Sequence, residues 1–156
     1  MDSKWICLFI IFLAAILAMG SVEATELENH NFKDYFSMEI PKDVTFEKQE
    51  DSSHENGINM VMLSYMSENL VIIYMDSTFV SENSSEFFVQ SIFESNYPDL
   101  DECYETQDGN LTILKPKTID DTHMPIVGSC SGTKLVMIFG KDLDLIKEMG
   151  ESIKFK

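Results

Sequence analysis

The chain has 156 residues, with 27 acidic side chains against 11 basic ones and a formal net charge of −16, and every basic residue is a lysine. That length suits one domain with a sizeable core. A chain so acidic, with no guanidinium to fork onto phosphate, excludes nucleic acid as a partner and excludes an anionic bilayer surface reached by charge alone.

Residues 1–24 stand apart from the rest. Lys4 precedes an apolar run at 5–19 (WICLFIIFLAAILAM), and Val22 and Ala24 supply the small-residue spacing that a signal peptidase accepts. Cleavage is expected after Ala24. The run is slightly shorter than the roughly 17–25 apolar residues of a membrane anchor, which is the alternative. Either form places the remainder outside the cell, secreted or at the cell surface, with the membrane touched only through residues 1–24 if they are retained. Loss of Asp2, Lys4 and Glu23 with that segment leaves 132 of the 156 residues and a net charge of −15.

Residues 25–34 are polar and read as a flexible leader, so the single domain is expected to span 35–156. Residues 36–40 alternate with period two and stop at Pro41, and 44–48 alternate again. Residues 49–57 (QEDSSHENG) read as a polar loop ending in the turn pair Asn56-Gly57.

The stretch 58–77 (INMVMLSYMSENLVIIYMDS) then reads as a β-hairpin around Glu68-Asn69. That turn pairs Met66 with Val71, Ser64 with Ile73 and Met62 with Met75 on one face, and Tyr65 with Ile72 and Leu63 with Tyr74 on the other. Both faces are apolar, so the hairpin belongs in mid-sheet with a cover on each side.

Asn83-Ser84-Ser85-Glu86 has the spacing of a capping box, which predicts a helix carrying Phe88 and Ile92 and ending at Asn96-Tyr97-Pro98. Residues 101–106 read as an edge strand, Asp108-Gly109 as a turn, and 110–114 as the returning partner. A second hairpin is expected from 124–130 and 134–139 around Gly132. Asp142 caps a last helix over 142–152, lined by Leu143, Ile146, Met149 and Ile153, with Gly150 weakening it.

The expected fold class is therefore α+β, an antiparallel sheet of about six to eight strands covered by two helices. With the leading segment gone, two cysteines remain, Cys103 and Cys130. An even count in an exported chain reads as one disulfide, worth roughly 3 kcal/mol for a loop of about 26 residues.

The opening Phe36-Ser37-x-x-Ile40-Pro41, the mid-chain helix and the closing segment 143–155 (LDLIKEMGESIKF) together resemble the PsbP-like superfamily. The likeness extends to small exported proteins of methanogenic archaea and covers most of 35–155. It implies an α–β–α sandwich and non-catalytic accessory or binding roles. The superfamily has no common active-site motif, so no functional residue carries over.

Candidate chemistry is sparse. His30, His54 and His123 are the only histidines, and His123 beside Cys130 is the one imaginable base and nucleophile. There is no G-x-S-x-G, H-E-x-x-H or P-loop. Asp99, Asp101, Glu102, Asp120 and Asp121 gather carboxylates that suit calcium without matching an EF-hand. Met60, Met62, Met66 and Met75 offer thioethers that suit Cu(I), against the competing role of methionine as core filler. Asn83 and Asn110 head glycosylation sequons, and Asn83 is also the expected helix cap. These residues point to a monomeric, non-enzymatic exported domain that binds an envelope or surface protein and needs no cofactor. A small-molecule or lipid carrier, with a pocket between a helix and the Met-lined face, is the alternative.

Overall fold

A computed structural model describes residues 26–55, 58–77, 103–108, 111–120 and 123–156, with the backbone alone at 51–55, 58–59 and 103–108. Ten strands and one helix lie among them: β1 (Leu27–Phe32), β2 (Phe36–Pro41), β3 (Glu47–Glu55), β4 (Ile58–Met66), β5 (Leu70–Ser77), β6 (Cys103–Asp108), β7 (Leu111–Pro116), β8 (Ile126–Ser131), β9 (Lys134–Gly140), α1 (Leu143–Glu151) and β10 (Lys154–Phe155).

The strands form two antiparallel sheets. The larger has the order β3-β4-β5-β9-β8-β7-β6, and the smaller the order β1-β2-β10. In the larger sheet, two meanders, β3 to β5 and β6 to β9, join edge to edge where β5 pairs with β9. Those two strands carry the most apolar sequences in the domain, and their Val71, Ile72, Ile73, Tyr74, Leu135, Val136, Met137 and Ile138 are almost fully buried. A strand buried on both faces reads as a continuous apolar run, which is what LVIIY and LVMIF are.

The hairpin of β4 and β5 has the register expected from its sequence, with Met66 opposite Val71, Ser64 opposite Ile73 and Met62 opposite Met75. At its tip the Ser67 amide donates to Leu70 O at 2.9 Å. In the hairpin of β8 and β9, Gly132 takes φ +59°, the conformation a tight two-residue loop asks of its first position.

One face of the larger sheet meets the smaller sheet and α1. Tyr65, Ile72, Tyr74, Val127, Val136 and Ile138 pack there against Phe32, Phe36, Met38, Ile40, Ile146 and Met149. Rings bridge the layers. Phe32 meets the edge of Tyr65 at 4.7 Å and Phe36 stacks on Tyr74 at 5.5 Å, while Phe32 and Phe36 stack on each other at 4.5 Å within the smaller sheet. Each such pair adds about 0.5–1.5 kcal/mol beyond the area it buries.

Helix α1 begins where Asp142 accepts a hydrogen bond from the Leu145 amide at 3.0 Å. Its far end is tied to the small sheet by Ser152, whose hydroxyl donates to Met149 O and accepts from the Glu39 amide, both at 2.7 Å. Two glycines let the helix approach closely. A Cβ on Gly150 would meet Val127 Cγ1 at 2.8 Å, and one on Gly140 would meet Ile146 Cγ2 at 2.8 Å. Gly150 is thus a packing residue more than a weak point of the helix.

The expected α+β arrangement, an α–β–α sandwich with two helices over one sheet, is corrected. The domain is mostly β, and among the described residues one short helix is present. A second sheet takes the place assigned to a helix, because residues 27–32, expected within a flexible leader, pair over their whole length with β2. Residues expected as the polar loop 49–57 instead extend β3, paired with β4 from Glu47 opposite Met66 to Glu55 opposite Ile58. Both sequences, LENHNF and EKQEDSSHE, lack an apolar stripe of their own. Their strand state comes from the backbone hydrogen bonds that β2 and β4 leave open. The helix expected after Asn83 lies outside the described residues.

Candidate functional site

Strand β3 ends the larger sheet, with β4 as its one neighbour among the described strands. It is long for an edge. Nine residue pairs run without a bulge, and it contains no proline or glycine. Edge strands are commonly kept short, kinked or charged to prevent unwanted pairing. Here charge is the device used: Glu47, Glu50, Asp51 and Glu55 outnumber Lys48.

Lys48 bridges Glu50 at 2.6 Å two positions along the strand. The hydrogen bond with Glu50 raises the Lys48 pKa, and the same contact lowers that of Glu50. Both groups stand in water, where such a pair contributes little to stability. It leaves the strand with net negative charge.

The next strand inward carries two different rows. On the inter-sheet face β4 places Val61, Leu63 and Tyr65. On the other it places Met60, Met62, Ser64 and Met66, a row of sulfur and hydroxyl with no aliphatic side chain. That opposite face continues inward as Val71, Ile73, Leu135, Met137, Phe139 and Ile126, with Met62, Met66, Met75 and Cys130 partly buried against it. Burial fades toward the rim: Val71 and Ile73 are 1% exposed, whereas Met60, Met62, Met66 and Met75 are half-buried.

Helix α1 packs on the inter-sheet face, through Ile146 and Met149. It therefore does not form the pocket between helix and Met-lined face that a carrier was expected to use. The inter-sheet space is filled by the rings of Phe32, Phe36, Tyr65 and Tyr74.

The disulfide expected between Cys103 and Cys130 is not seen at Cys130. Cys130 is a free, half-buried thiol. The backbone register explains why. Cys103 lies opposite Pro116 at one end of β7, while the pairing of Thr112 with Gly128 carries Cys130 past the other end. Six residues of strand, about 20 Å, and two strand spacings separate them, whereas a disulfide needs Cα atoms within about 7 Å.

His123 and Cys130 are not brought together either. Cys130 lies about 14 Å along β8 from Ile126, the end of the strand that His123 precedes. The His123 ring instead contacts Asp120, Nδ1 to Oδ1 at 2.9 Å, and its amide donates to the same oxygen at 2.8 Å. Both side chains are about half-exposed.

Asn83, Asn110, Asp99, Asp101, Glu102 and Asp121 lie outside the described residues. Among the described residues no three His, Cys, Asp or Glu side chains gather as a metal site, and no helix is long and apolar enough to cross a membrane. The acidic edge was hidden in the sequence because its residues carry no alternation. Its one signal is the need of the apolar strand β4 for a second neighbour. Comparison with protein-family models, with curated proteins and with solved structures finds no match to this chain.

Proposed function

We propose that the chain is an exported, non-enzymatic binding domain of the cell envelope or exterior, acting as a monomer whose docking surface is the outer edge of β3. The observation that carries this is the unbroken nine-residue register of an acidic strand at the end of the sheet. An open edge offers backbone donors and acceptors to an incoming strand, the mode known as β-augmentation. Acidic side chains along that edge repel a second copy of the chain and favour a lysine- or arginine-rich extended segment of another protein. The apolar segment at 5–19 supports export.

Co-purification of the full chain from its native envelope fraction tests the reading. A partner with a basic extended segment should accompany the wild-type chain and be lost from a Glu47→Lys, Glu50→Lys variant that melts like wild type. Retention of the partner by that variant would remove β3 as the surface. Substrate turnover abolished by His123→Ala would remove the non-enzymatic assignment.

A further inference from the structure

We propose that Met60, Met62 and Met75 form a binding site for a soft monovalent metal ion, Cu(I). Met60 and Met62 are alternate residues of β4 and so share a face, about 7 Å apart along the strand. Met75 stands directly opposite Met62 on β5, a position at which Cβ atoms lie about 5 Å apart. All three are half-buried, in contact with solvent at the rim of the face. The register thus puts three thioethers within reach of one another, each on an unbranched side chain with enough rotatable bonds to aim its sulfur. Thioether sulfur is a soft donor that selects Cu(I) over the hard cations taken by carboxylates.

Neighbouring residues sharpen the placement. Met66, on the same row of β4, lies opposite Val71, four positions from Met62 and farther from Met75. Cys130 lies on the level of Met75 but beyond Leu135, two strand spacings away at about 10 Å. Its thiol is a separate donor, and the site is built without it. Isolated methionines at a sheet rim need no explanation beyond gap filling. A cross-strand pair with a third thioether two residues along supplies a ligand set.

The experiment uses the full chain with Cys7, Cys103 and Cys130 replaced by serine, so that no thiol captures the metal. Cu(I) under ascorbate is titrated in competition with bicinchoninate, and the ε-methyl signals of 13C-methyl methionine are followed by NMR. One equivalent should bind and shift the signals of Met60, Met62 and Met75. Met62→Leu or Met75→Leu should weaken binding at least by the roughly tenfold that loss of an outer-shell partner costs. Met66→Leu should stay within about twofold of the parent, below the smallest change expected from a lost partner. These exchanges conserve volume and fold, as a matching thermal melt verifies. Failure of the thiol-free chain to bind, unchanged affinity in both Met62→Leu and Met75→Leu, or an equal loss in Met66→Leu would each overturn the site.

Discussion

Gly150→Ala sets two local rules against each other. In a helix interior the exchange of glycine for alanine is favourable by about 0.8–1.0 kcal/mol, and less near a helix end. At Gly150 the new methyl would stand 2.8 Å from Val127 Cγ1 and 3.3 Å from both terminal carbons of Leu111. Leu111 can swing aside. Val127 cannot, because its branched side chain is stiff at χ1 and fully buried in β8. Overpacking of this kind costs about 1–3 kcal/mol, so the net expectation is a loss of up to about 2 kcal/mol. Urea denaturation at unchanged m reads it as a lower midpoint. Truncating the obstacle should reverse the sign: in a Val127→Ala background, Gly150→Ala should become neutral or stabilising. The coupling between the sites should then be about 1–3 kcal/mol. A stabilising Gly150→Ala in the otherwise wild-type chain would refute close approach of α1 to β8.

Two further outcomes follow from the fold. Burial, and for Tyr74 also the nearby Asp76 carboxylate, raises the pKa of the Tyr65 and Tyr74 hydroxyls above the ordinary value of about 10. The unfolded chain therefore releases these protons first, so stability is unaffected by them below about pH 10 and falls as pH rises above it. Urea midpoints between about pH 9.5 and 11.5 should decline, less steeply in Tyr74→Phe; identical slopes would refute the assignment. Alkylation of the unfolded chain without reductant should label Cys130, since its thiol is free. Recovery of a peptide linking Cys103 to Cys130 would contradict the register of β6, β7 and β8.

The β4–β5 hairpin was legible pair for pair because both strands are apolar on both faces and the tip is polar. The two-residue tip Glu68-Asn69 then fixes the register of the strands on either side of it. Strands β1 and β3 were not legible, for the opposite reason. Their side chains, where described, are largely exposed and gain nothing from one register over another, so the hydrogen-bonding need of β2 and β4 dictates their state. The requirement that both hairpin faces be covered was also legible, and it was correct for β5. What covers the inter-sheet face was misassigned, since a helix was expected where β1, β2 and β10 share the cover with α1.

For the methionines, sequence spacing gave the shared face but not the depth. Depth depends on how far β4 stands from the apolar centre of the sheet, and that is set by a polar neighbour with no apolar pattern to read. With β3 at the edge, β4 becomes the last apolar strand, and on its outer row Met60, Met62 and Met66 around the buried Ser64 are only partly buried, against the near-complete burial of Val71 and Ile73. A core-filling role needs only the volume of those side chains, which leucine supplies at a cost below about 1.5 kcal/mol. A metal role needs the sulfur. Methionine-to-leucine exchange therefore separates the two directly: it leaves the melt nearly unchanged in either case, and removes Cu(I) affinity only if the sulfur is what the rim provides.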